Sequence, residues 1–322
     1  MKKNTKIKII VLILLLFLST GCIKQAKNEK GKVVQNETTG QTLVSNILCQ
    51  PTDKTTIKAY KKSTVKIEKL PECKDFKLSS GKYEGLWTSF FVKPLAFILI
   101  KVGQLFGNYG ISVIIISLLI RLIAFPITKK TAMQSEIMKK AQPELNKIQK
   151  KYANKQDQES MMKQNQEMMA VYKKYGINPM GGCIFAMIQL PIFIAFFEAI
   201  QRTPAIFEDK FLGLQLGTTP SIGITTSTFY AYALLVIIIG FSTFFSMRMA
   251  TAGNATDPSM KMMPIMMTGM IVITGIFMPT GLGIYWVTSN IFTLVQNYLV
   301  KRSKVKDGKT QVSSKNKRRS NK

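Results

Sequence analysis

The sequence predicts an all-α polytopic membrane protein with five transmembrane helices and a cytoplasmic helical hairpin. The first observation is composition. The chain has 322 residues, 46% of them hydrophobic, and its 45 Lys and Arg against 17 Asp and Glu give a formal net charge of +28. The second is that apolar residues form runs of about 20, the length that crosses a hydrocarbon core. The third is that basic segments alternate with these runs, as in membrane proteins with charged cytoplasmic loops.

Composition also limits the chemistry. The chain contains no histidine, and its four cysteines are not clustered, so we expect no metal site and no haem. It has no G-x-x-x-x-G-K-[ST] motif, which disfavours nucleotide hydrolysis. Strong positive charge is also typical of nucleic-acid-binding proteins. Here the charge lies between apolar runs, so we do not expect DNA binding.

Residues 1–21 have the pattern of an export signal. Four lysines precede the apolar run 9–18, and small residues lead up to Cys22. This arrangement resembles the lipobox of bacterial lipoproteins, in which Cys22 would be lipidated (palmitate) and become the mature N-terminus. The leucine usual three residues before the cysteine is Ser19, so ordinary secretory cleavage or an uncleaved anchor stays open. Lipidation or cleavage would place the following residues outside the cell.

Residues 22–85 are polar, rich in lysine and poor in large apolar side chains. They predict an extracellular tether or a small, weakly cored insert. The segment contains Cys49 and Cys73, which are able to pair outside the cytoplasm and would then staple a poorly cored segment. Two free thiols are the alternative.

Residues 86–108 are apolar and aromatic, but Lys93, Pro94 and Lys101 interrupt the run. The uninterrupted part is too short to cross a membrane. We therefore predict an amphipathic helix in the outer membrane interface, which delivers the chain to the first transmembrane helix.

The first transmembrane helix, residues 109–127, contains Arg121 among apolar and small residues. Arginine cannot shed its charge, and in the centre of a membrane helix it costs about 2.5–3.5 kcal/mol. An intramembrane charge therefore predicts a functional site. The alternative is that the long side chain snorkels to the lipid headgroups near Thr128.

Residues 128–178 predict a helical hairpin, because they are rich in Lys, Gln, Glu and Met with little β-branching. Apolar residues recur at three- and four-residue spacing in both arms, namely Met133, Ile137, Ala141, Leu145, Ile148 and Tyr152, then Met161, Met168, Tyr172 and Tyr175. The polar stretch 153–157 divides the arms. Pro143 is expected to kink or restart the first arm, and Gly176 to close the second.

Residues 179–300 contain transmembrane helices two to five, in the apolar runs 180–200, 229–247, 262–278 and 282–300. The tail 301–322 carries ten Lys and Arg against one Asp, whereas the loop 201–228 is nearly neutral. With the N-terminus outside, five spans place the hairpin and the tail in the cytoplasm, as the positive-inside rule requires. The sequence thus predicts a multi-pass protein of the bacterial plasma membrane, lipid-anchored outside and with a cytoplasmic C-terminus.

Several stretches together resemble the YidC/Oxa/Alb family of membrane protein insertases, in its lipoprotein (Gram-positive) form. They are IISLLIRLIAFPI, MKKAQPELNKIQKKY, NPMGGCIFAMIQLPIFIAFFEAI, DPSMKMMPIMM and GLGIYWVTSNIFTLVQNYL. The resemblance covers about residues 86–300. No single stretch is decisive, but their order and spacing are specific.

The resemblance implies five helices around a hydrophilic groove that opens to the cytoplasm and to lipid. Arg121, Gln189 and Trp286 match groove positions of the family. It implies an insertase and chaperone that is not an enzyme, with no catalytic residue and no cofactor. The implied partners are nascent membrane proteins and membrane lipid; further candidates are the Sec translocon and, through the tail 301–322, the ribosome. A small-solute transporter or channel component is the alternative, but the internal repeats expected of it are not found.

Overall fold

The computed structural model describes residues 23–155, 157–177, 181–251 and 258–320, and these form mainly α-helices, as predicted. The helices are α1 (Lys54–Lys61), α2 (Lys93–Phe106), α3 (Tyr109–Tyr152), α4 (Gln158–Tyr175), α5 (Gly181–Arg202), α6 (Pro204–Phe207), α7 (Pro220–Gly223), α8 (Phe229–Thr251), α9 (Pro258–Ile276) and α10 (Thr280–Ser320). A π-helical turn, Thr88–Val92, leads into α2. The strands β1 (Lys210–Phe211) and β2 (Leu214–Gln215) pair antiparallel as a hairpin.

Among the described residues, three helices are long and apolar enough to cross a membrane: Thr88–Phe106, Tyr109–Tyr152 and Phe229–Met249. A shorter apolar helix covers Met262–Ile276. The helices α3 and α8 contain the predicted spans 109–127 and 229–247; the count of five spans stays a prediction. Thr88–Phe106 reaches the length and composition of a span despite its two lysines, and its predicted position in the interface also stays a prediction.

The chain divides into two compact units. The first comprises Met1–Ser117, Met187–Ile239 and Ile273–Trp286, and the second comprises Leu118–Ala186, Gly240–Val272 and Val287–Lys322. Five helices, α3, α5, α8, α9 and α10, contribute residues to both units.

In the first unit, the segment before the long helices is packed rather than extended. Its core consists of Ala26, Val34, Leu43, Val44, Ile47, Ala59, Tyr60, Ile67 and Phe207. The Asp53 carboxylate caps α1 by accepting a hydrogen bond from Thr56 N at 2.9 Å. The sequence predicted a tether or a weakly cored insert over 22–85. Phe207 of the distant helix α6 contributes to this core, so the segment's own apolar residues do not form it alone. The position of the segment outside the cell stays a prediction.

Two lysines of α2 bind this segment through its backbone. Lys93 Nζ, on a buried side chain, donates to Ser80 O at 2.6 Å and to Lys82 O at 3.3 Å. Lys101 Nζ donates to Lys74 O at 3.0 Å. The charges that interrupt the apolar run thus attach α2 to the polar segment along much of its length.

In the second unit, the C-terminal part of α3 and the helix α4 form the hairpin. Its buried seam contains Ala141, Leu145, Val171 and Ile177, flanked by Ile137, Met138, Ile148, Met168, Tyr172 and Tyr175. Gly176 ends α4 in a left-handed conformation, with φ 65°, which favours glycine. Met161, predicted in the seam, is exposed, and Val171 is buried instead.

Helix α3 continues unbroken from Tyr109 to Tyr152, so the first arm does not restart at Pro143, and a kink there stays a prediction. Proline removes one backbone hydrogen bond from a helix. Ala141 and Leu145, on either side, are buried in the seam. Their packing holds the helical path across the missing bond.

Candidate functional site

Arg121 lies in the apolar part of α3, where a membrane-embedded backbone must form its hydrogen bonds within the helix. Its side chain is only 8% exposed, whereas Leu122 and Ile123 are 56% and 79% exposed. A side chain that snorkelled along the outer surface of the helix towards the headgroups would be exposed, as those of Leu122 and Ile123 are. The burial therefore indicates that Arg121 points towards protein, and it argues against snorkelling.

In the second unit, a hydrogen bond to α10 is made from the same face of α3 that carries Arg121. Thr128 follows Arg121 by seven residues, two helical turns, and is also buried. Its hydroxyl donates to Gln296 Oε1 of α10 at 2.9 Å, and Gln296 is buried as well. A buried threonine and glutamine thus bridge two largely apolar helices.

A second polar contact of this unit joins α10 to α8. Asn290 Nδ2 donates to Ser242 Oγ at 3.2 Å and to Thr243 Oγ1 at 3.0 Å. The Ser246 hydroxyl donates to the Asn290 carbonyl oxygen at 3.3 Å. We call Thr128, Gln296, Asn290, Ser242 and Thr243 the polar network.

Two buried hydroxyls of the second unit are of the kind that water molecules commonly satisfy. Within the part of the chain that the structure describes, Ser289 Oγ and Thr268 Oγ1 are buried and have no hydrogen-bond partner. Buried polar atoms are almost always hydrogen-bonded, and water commonly satisfies those that protein leaves over. Ser289 precedes Gln296 by two helical turns on α10, so the polar face of α10 extends beyond the network.

Gln189 and Trp286, the other predicted groove residues, belong to the first unit and share neighbours there. Gln189 Nε2 donates to the hydroxyl of Tyr285, the residue next to Trp286. The Phe193 ring contacts Trp286 edge-on at 5.5 Å between centroids and also contacts Tyr285. This unit thus brings Gln189 and Trp286 to one aromatic cluster.

The remaining predicted site residues lie at the two ends of the chain. Cys49 and Cys73 form a disulfide with a Cα–Cα distance of 4.8 Å. Cys22, with the export signal 1–21, lies outside the described residues. In the tail, α10 continues to Ser320, but only the side chains of Lys301 and Arg302 are described, and both are exposed.

Asn290 and Gln296 of the polar network were not predicted from the sequence. The available signal was the same as for Arg121, namely a strongly polar residue inside a run that is otherwise apolar. Neither the pairing of Gln296 with Thr128 nor that of Asn290 with Ser242 follows from spacing, because each joins different helices. Among the described residues, no group of three or more His, Cys, Asp or Glu could hold a metal ion.

The polar network and Arg121 are suited to hydrogen-bonding with water or another chain, rather than to making or breaking covalent bonds. The polar network consists of neutral hydroxyl and amide groups, which donate and accept hydrogen bonds and do not change charge near neutral pH. Arg121 adds a permanent positive charge in the same unit. Such side chains can accommodate water or the backbone and acidic groups of another chain.

Comparison with known proteins gives four similarities. The family model described as "60Kd inner membrane protein" matches residues 101–308. "Membrane protein insertase MisCA" of Bacillus subtilis (strain 168) is 39% identical over 222 residues, which cover 68% of this chain and 81% of that protein. "Membrane protein insertase YidC 2" of Bacillus anthracis is 37% identical over 236 residues, which cover 73% of this chain and 88% of that protein. The solved structure described as "Active YidC insertase crystal structure with the first transmembrane domain resolved" is 23% identical, with a TM-score of 0.49, over 66% of this chain and 47% of that chain.

Proposed function

The chain belongs to the 60Kd inner membrane protein family, the YidC/Oxa membrane protein insertases, and we propose that Arg121 and the polar network form its substrate groove. It is a membrane protein insertase of the plasma membrane with several membrane-spanning helices. It acts on nascent membrane proteins. Gln189 and Trp286 are proposed as further groove residues in the first unit.

The burial of Arg121 is the observation that carries this proposal. A charge in a membrane helix is costly unless it faces protein or water, and Arg121 is covered by protein while its neighbours in sequence are exposed. Thr128 extends the same face towards Gln296. The hydroxyls of Ser289 and Thr268, which have no hydrogen-bond partner among the described residues, support the proposal that the groove contains water.

A hydrated, positively charged groove lowers the main barrier to insertion, which is the passage of polar backbone through hydrocarbon. The groove would attract acidic residues of the short external segment of a substrate. Meanwhile the apolar helix of the substrate would leave into lipid, driven by apolar transfer at roughly 25 cal/mol per Å². The membrane potential would assist acidic segments by about 2.3 kcal/mol per charge per 100 mV. No bond is made or broken, so this mechanism needs no catalytic residue.

The N-terminal part of the chain is proposed to lie outside the cell, with Cys22 lipidated and Cys49 and Cys73 paired as a disulfide. The hydrogen bond from Lys101 to the Lys74 carbonyl oxygen supports the interfacial position of 86–108. A helix that crossed the membrane would draw the charged stretch around Lys74 into hydrocarbon, at high cost.

The cytoplasmic side is proposed to carry the hairpin and the tail 301–322. Ten Lys and Arg in the tail confer salt-dependent attraction to RNA, so the ribosome is the proposed partner there. Anionic inner-leaflet lipid would attract the same charges at about 1 kcal/mol per residue near the surface. The Sec translocon is proposed as a partner on the family resemblance alone.

The test compares two matched single-span substrates, one with an acidic and one with a neutral external segment, in vesicles that contain the purified insertase. Arg121→Ala should remain folded and embedded but should insert less, with the larger loss for the acidic substrate, which gains most from a buried positive charge. Arg121→Lys should keep much of the activity, because attraction at a distance needs the charge more than the planar guanidinium.

The matched control is Lys129→Ala, which removes an exposed cation eight residues further along α3. It should leave both substrates nearly unaffected, because an exposed charge is screened by water and salt. Full activity of Arg121→Ala on both substrates would refute the groove mechanism.

A further inference from the structure

The turn of the β1–β2 hairpin contains a leucine, Leu212, in a backbone conformation that is unfavourable for leucine. Lys210 pairs with Gln215 and Phe211 with Leu214, so the turn consists of Leu212 and Gly213 alone. Both have positive φ, 51° and 80°, as in the two-residue turns that prefer asparagine or glycine first. Leu212 is a non-glycine residue with positive φ, which costs energy for a side chain of this kind.

The same leucine is 80% exposed. A leucine at a strained position would ordinarily be explained by burial in a core, and Leu212 has none. A contact outside the chain that favours a large apolar side chain would account for both the positive φ and the exposure.

The hairpin is fixed to the start of α3. The Asp209 carboxylate accepts a hydrogen bond from Tyr109 N at 2.7 Å. Asn108 Nδ2 donates to Lys210 O at 2.9 Å. A Cβ on Gly110 would come within 2.4 Å of the Phe211 side chain, so only glycine allows this approach. The hairpin therefore sits where α3, a membrane-spanning helix by length and composition, begins.

An exposed apolar face of α2 reaches the same place. Ala96, Leu99, Ile100 and Gly103 are buried against protein, whereas Ile98 and Leu105 point the other way and are exposed, together with Phe106. Leu105 and Phe106 end α2 and are separated only by Gly107 from Asn108, whose side chain binds the hairpin. The apolar surface of α2 and the tip of the hairpin thus flank the point where the chain enters the membrane.

We propose that Leu212 is a lipid anchor, inserted among the acyl chains of the outer leaflet beside the start of α3. Continuity with the membrane-entering end of α3 and with the apolar face of α2 selects lipid as the occupant. The exposed Lys210 then lies at the level of the phosphate headgroups, where a cation is favoured. The anchor sets the distance of the 201–228 loop from the membrane surface. This role is independent of the groove.

The test places an environment-sensitive fluorophore on Leu212→Cys in the full chain, reconstituted in phosphatidylethanolamine and phosphatidylglycerol vesicles. Some vesicles also contain phosphatidylcholine with a nitroxide on its upper acyl chain. Leu105→Cys is the lipid-facing reference, and Glu29→Cys, exposed in a polar turn, is the aqueous one. The signal of the unsubstituted protein is subtracted. Leu212→Cys should be quenched to the same degree as Leu105→Cys, and quenching as weak as at Glu29→Cys would overturn the proposal.

A second variant separates anchoring from folding. Asparagine suits positive φ better than leucine, so Leu212→Asn should keep the hairpin and remove the apolar contact. With the fluorophore on Lys210→Cys, Leu212→Asn should abolish most of the nitroxide quenching without changing the thermal midpoint. Unchanged quenching would refute the anchor. This readout does not involve insertion activity, so failure here and failure of the proposed groove remain distinguishable.

Discussion

Arg202 is a fully buried charge whose partners come from separate parts of the first unit. Its guanidinium contacts the Glu84 carboxylate at 2.6 Å and the Glu198 carboxylate at 3.5 Å, and Nε donates to Asn46 O at 2.7 Å. Trp87 Nε1 donates to the other Glu198 oxygen at 2.9 Å. A charge held in this way is compensated inside the protein, so Arg202 has a structural role.

Replacing Arg202 by methionine should destabilise the protein by about 3–5 kcal/mol, because it leaves the Glu198 carboxylate buried and unpaired. Adding Glu198→Gln to Arg202→Met should recover part of the loss, since the remaining group is neutral. Denaturant unfolding in detergent micelles, followed by tryptophan fluorescence at Trp87, would measure both. Lys210→Met, which alters an exposed cation, should change the free energy of unfolding little. A loss from Arg202→Met as small as that of the control would contradict this assignment.

Arg121 and Arg202 show which features of a single residue can be predicted from the sequence and which cannot. Arg121 stands out because it interrupts an apolar run, and that contrast is local. Arg202 lies in a stretch of balanced charge, and its hydrogen-bond partners Asn46 and Glu84 are 156 and 118 residues away. Its role depends on folding of the distant segment against α5, which no spacing in the chain reveals.

In the hairpin, the two arms are joined by a pair of similar polar clamps. The Glu144 carboxylate accepts from Lys174 Nζ at 2.7 Å and from the Tyr175 hydroxyl at 2.8 Å. The Glu167 carboxylate accepts from Lys151 Nζ at 2.6 Å and from the Tyr152 hydroxyl at 3.0 Å. The hydrogen bonds from the lysines, followed by those from the tyrosines, lower the pKa of both carboxyls below 4.5.

The clamps predict that the hairpin loosens in acid. A carboxyl whose pKa is lowered on folding stabilises the fold above its unfolded pKa of 4.5, and this contribution is lost as pH falls through the folded value. Spin labels on Lys150→Cys and Lys163→Cys should report a broader distance distribution below about pH 4 than at pH 7.

The double variant Glu144→Gln, Glu167→Gln serves as the control for this titration. It should give the broader distribution already at pH 7 and change little on acidification. An unchanged distribution between pH 7 and pH 3 in the parent protein would refute the role of the clamps.

The apolar seam of the hairpin was predictable, whereas its clamps were not. Ile137, Ala141 and Leu145 recur at helical spacing, and that spacing places them on one face before any partner is known. The contact between Glu144 and Lys174 depends on the register between the two arms. That register is set by the turn and by the packing of side chains such as Val171, which periodicity alone assigned to no face.

Across the whole molecule, charge predicts the orientation in the membrane, whereas composition does not predict the packing of residues 23–85. The basic segments 128–178 and 301–322 and the nearly neutral loop 201–228 are visible in the sequence and fix the predicted sides of the membrane. The packing of 23–85 against Phe207 and Arg202 was not visible, because its core is shared with residues far along the chain. Composition alone therefore did not predict the packing of residues 23–85.

The predicted orientation can be tested with two exposed positions on opposite sides. Asn154, in the hairpin turn, should be cytoplasmic, and Thr225, in the 201–228 loop, should be external; both are exposed and should react once reached. A membrane-impermeant thiol reagent applied to intact cells should label Thr225→Cys above the background of the native cysteines and should not label Asn154→Cys. After permeabilisation both should react, which controls for intrinsic reactivity. Labelling of Asn154→Cys in intact cells would mean that the orientation is opposite to the predicted one. It would also place the ten cations of the tail on the outer side, where they could meet neither the ribosome nor the anionic inner leaflet.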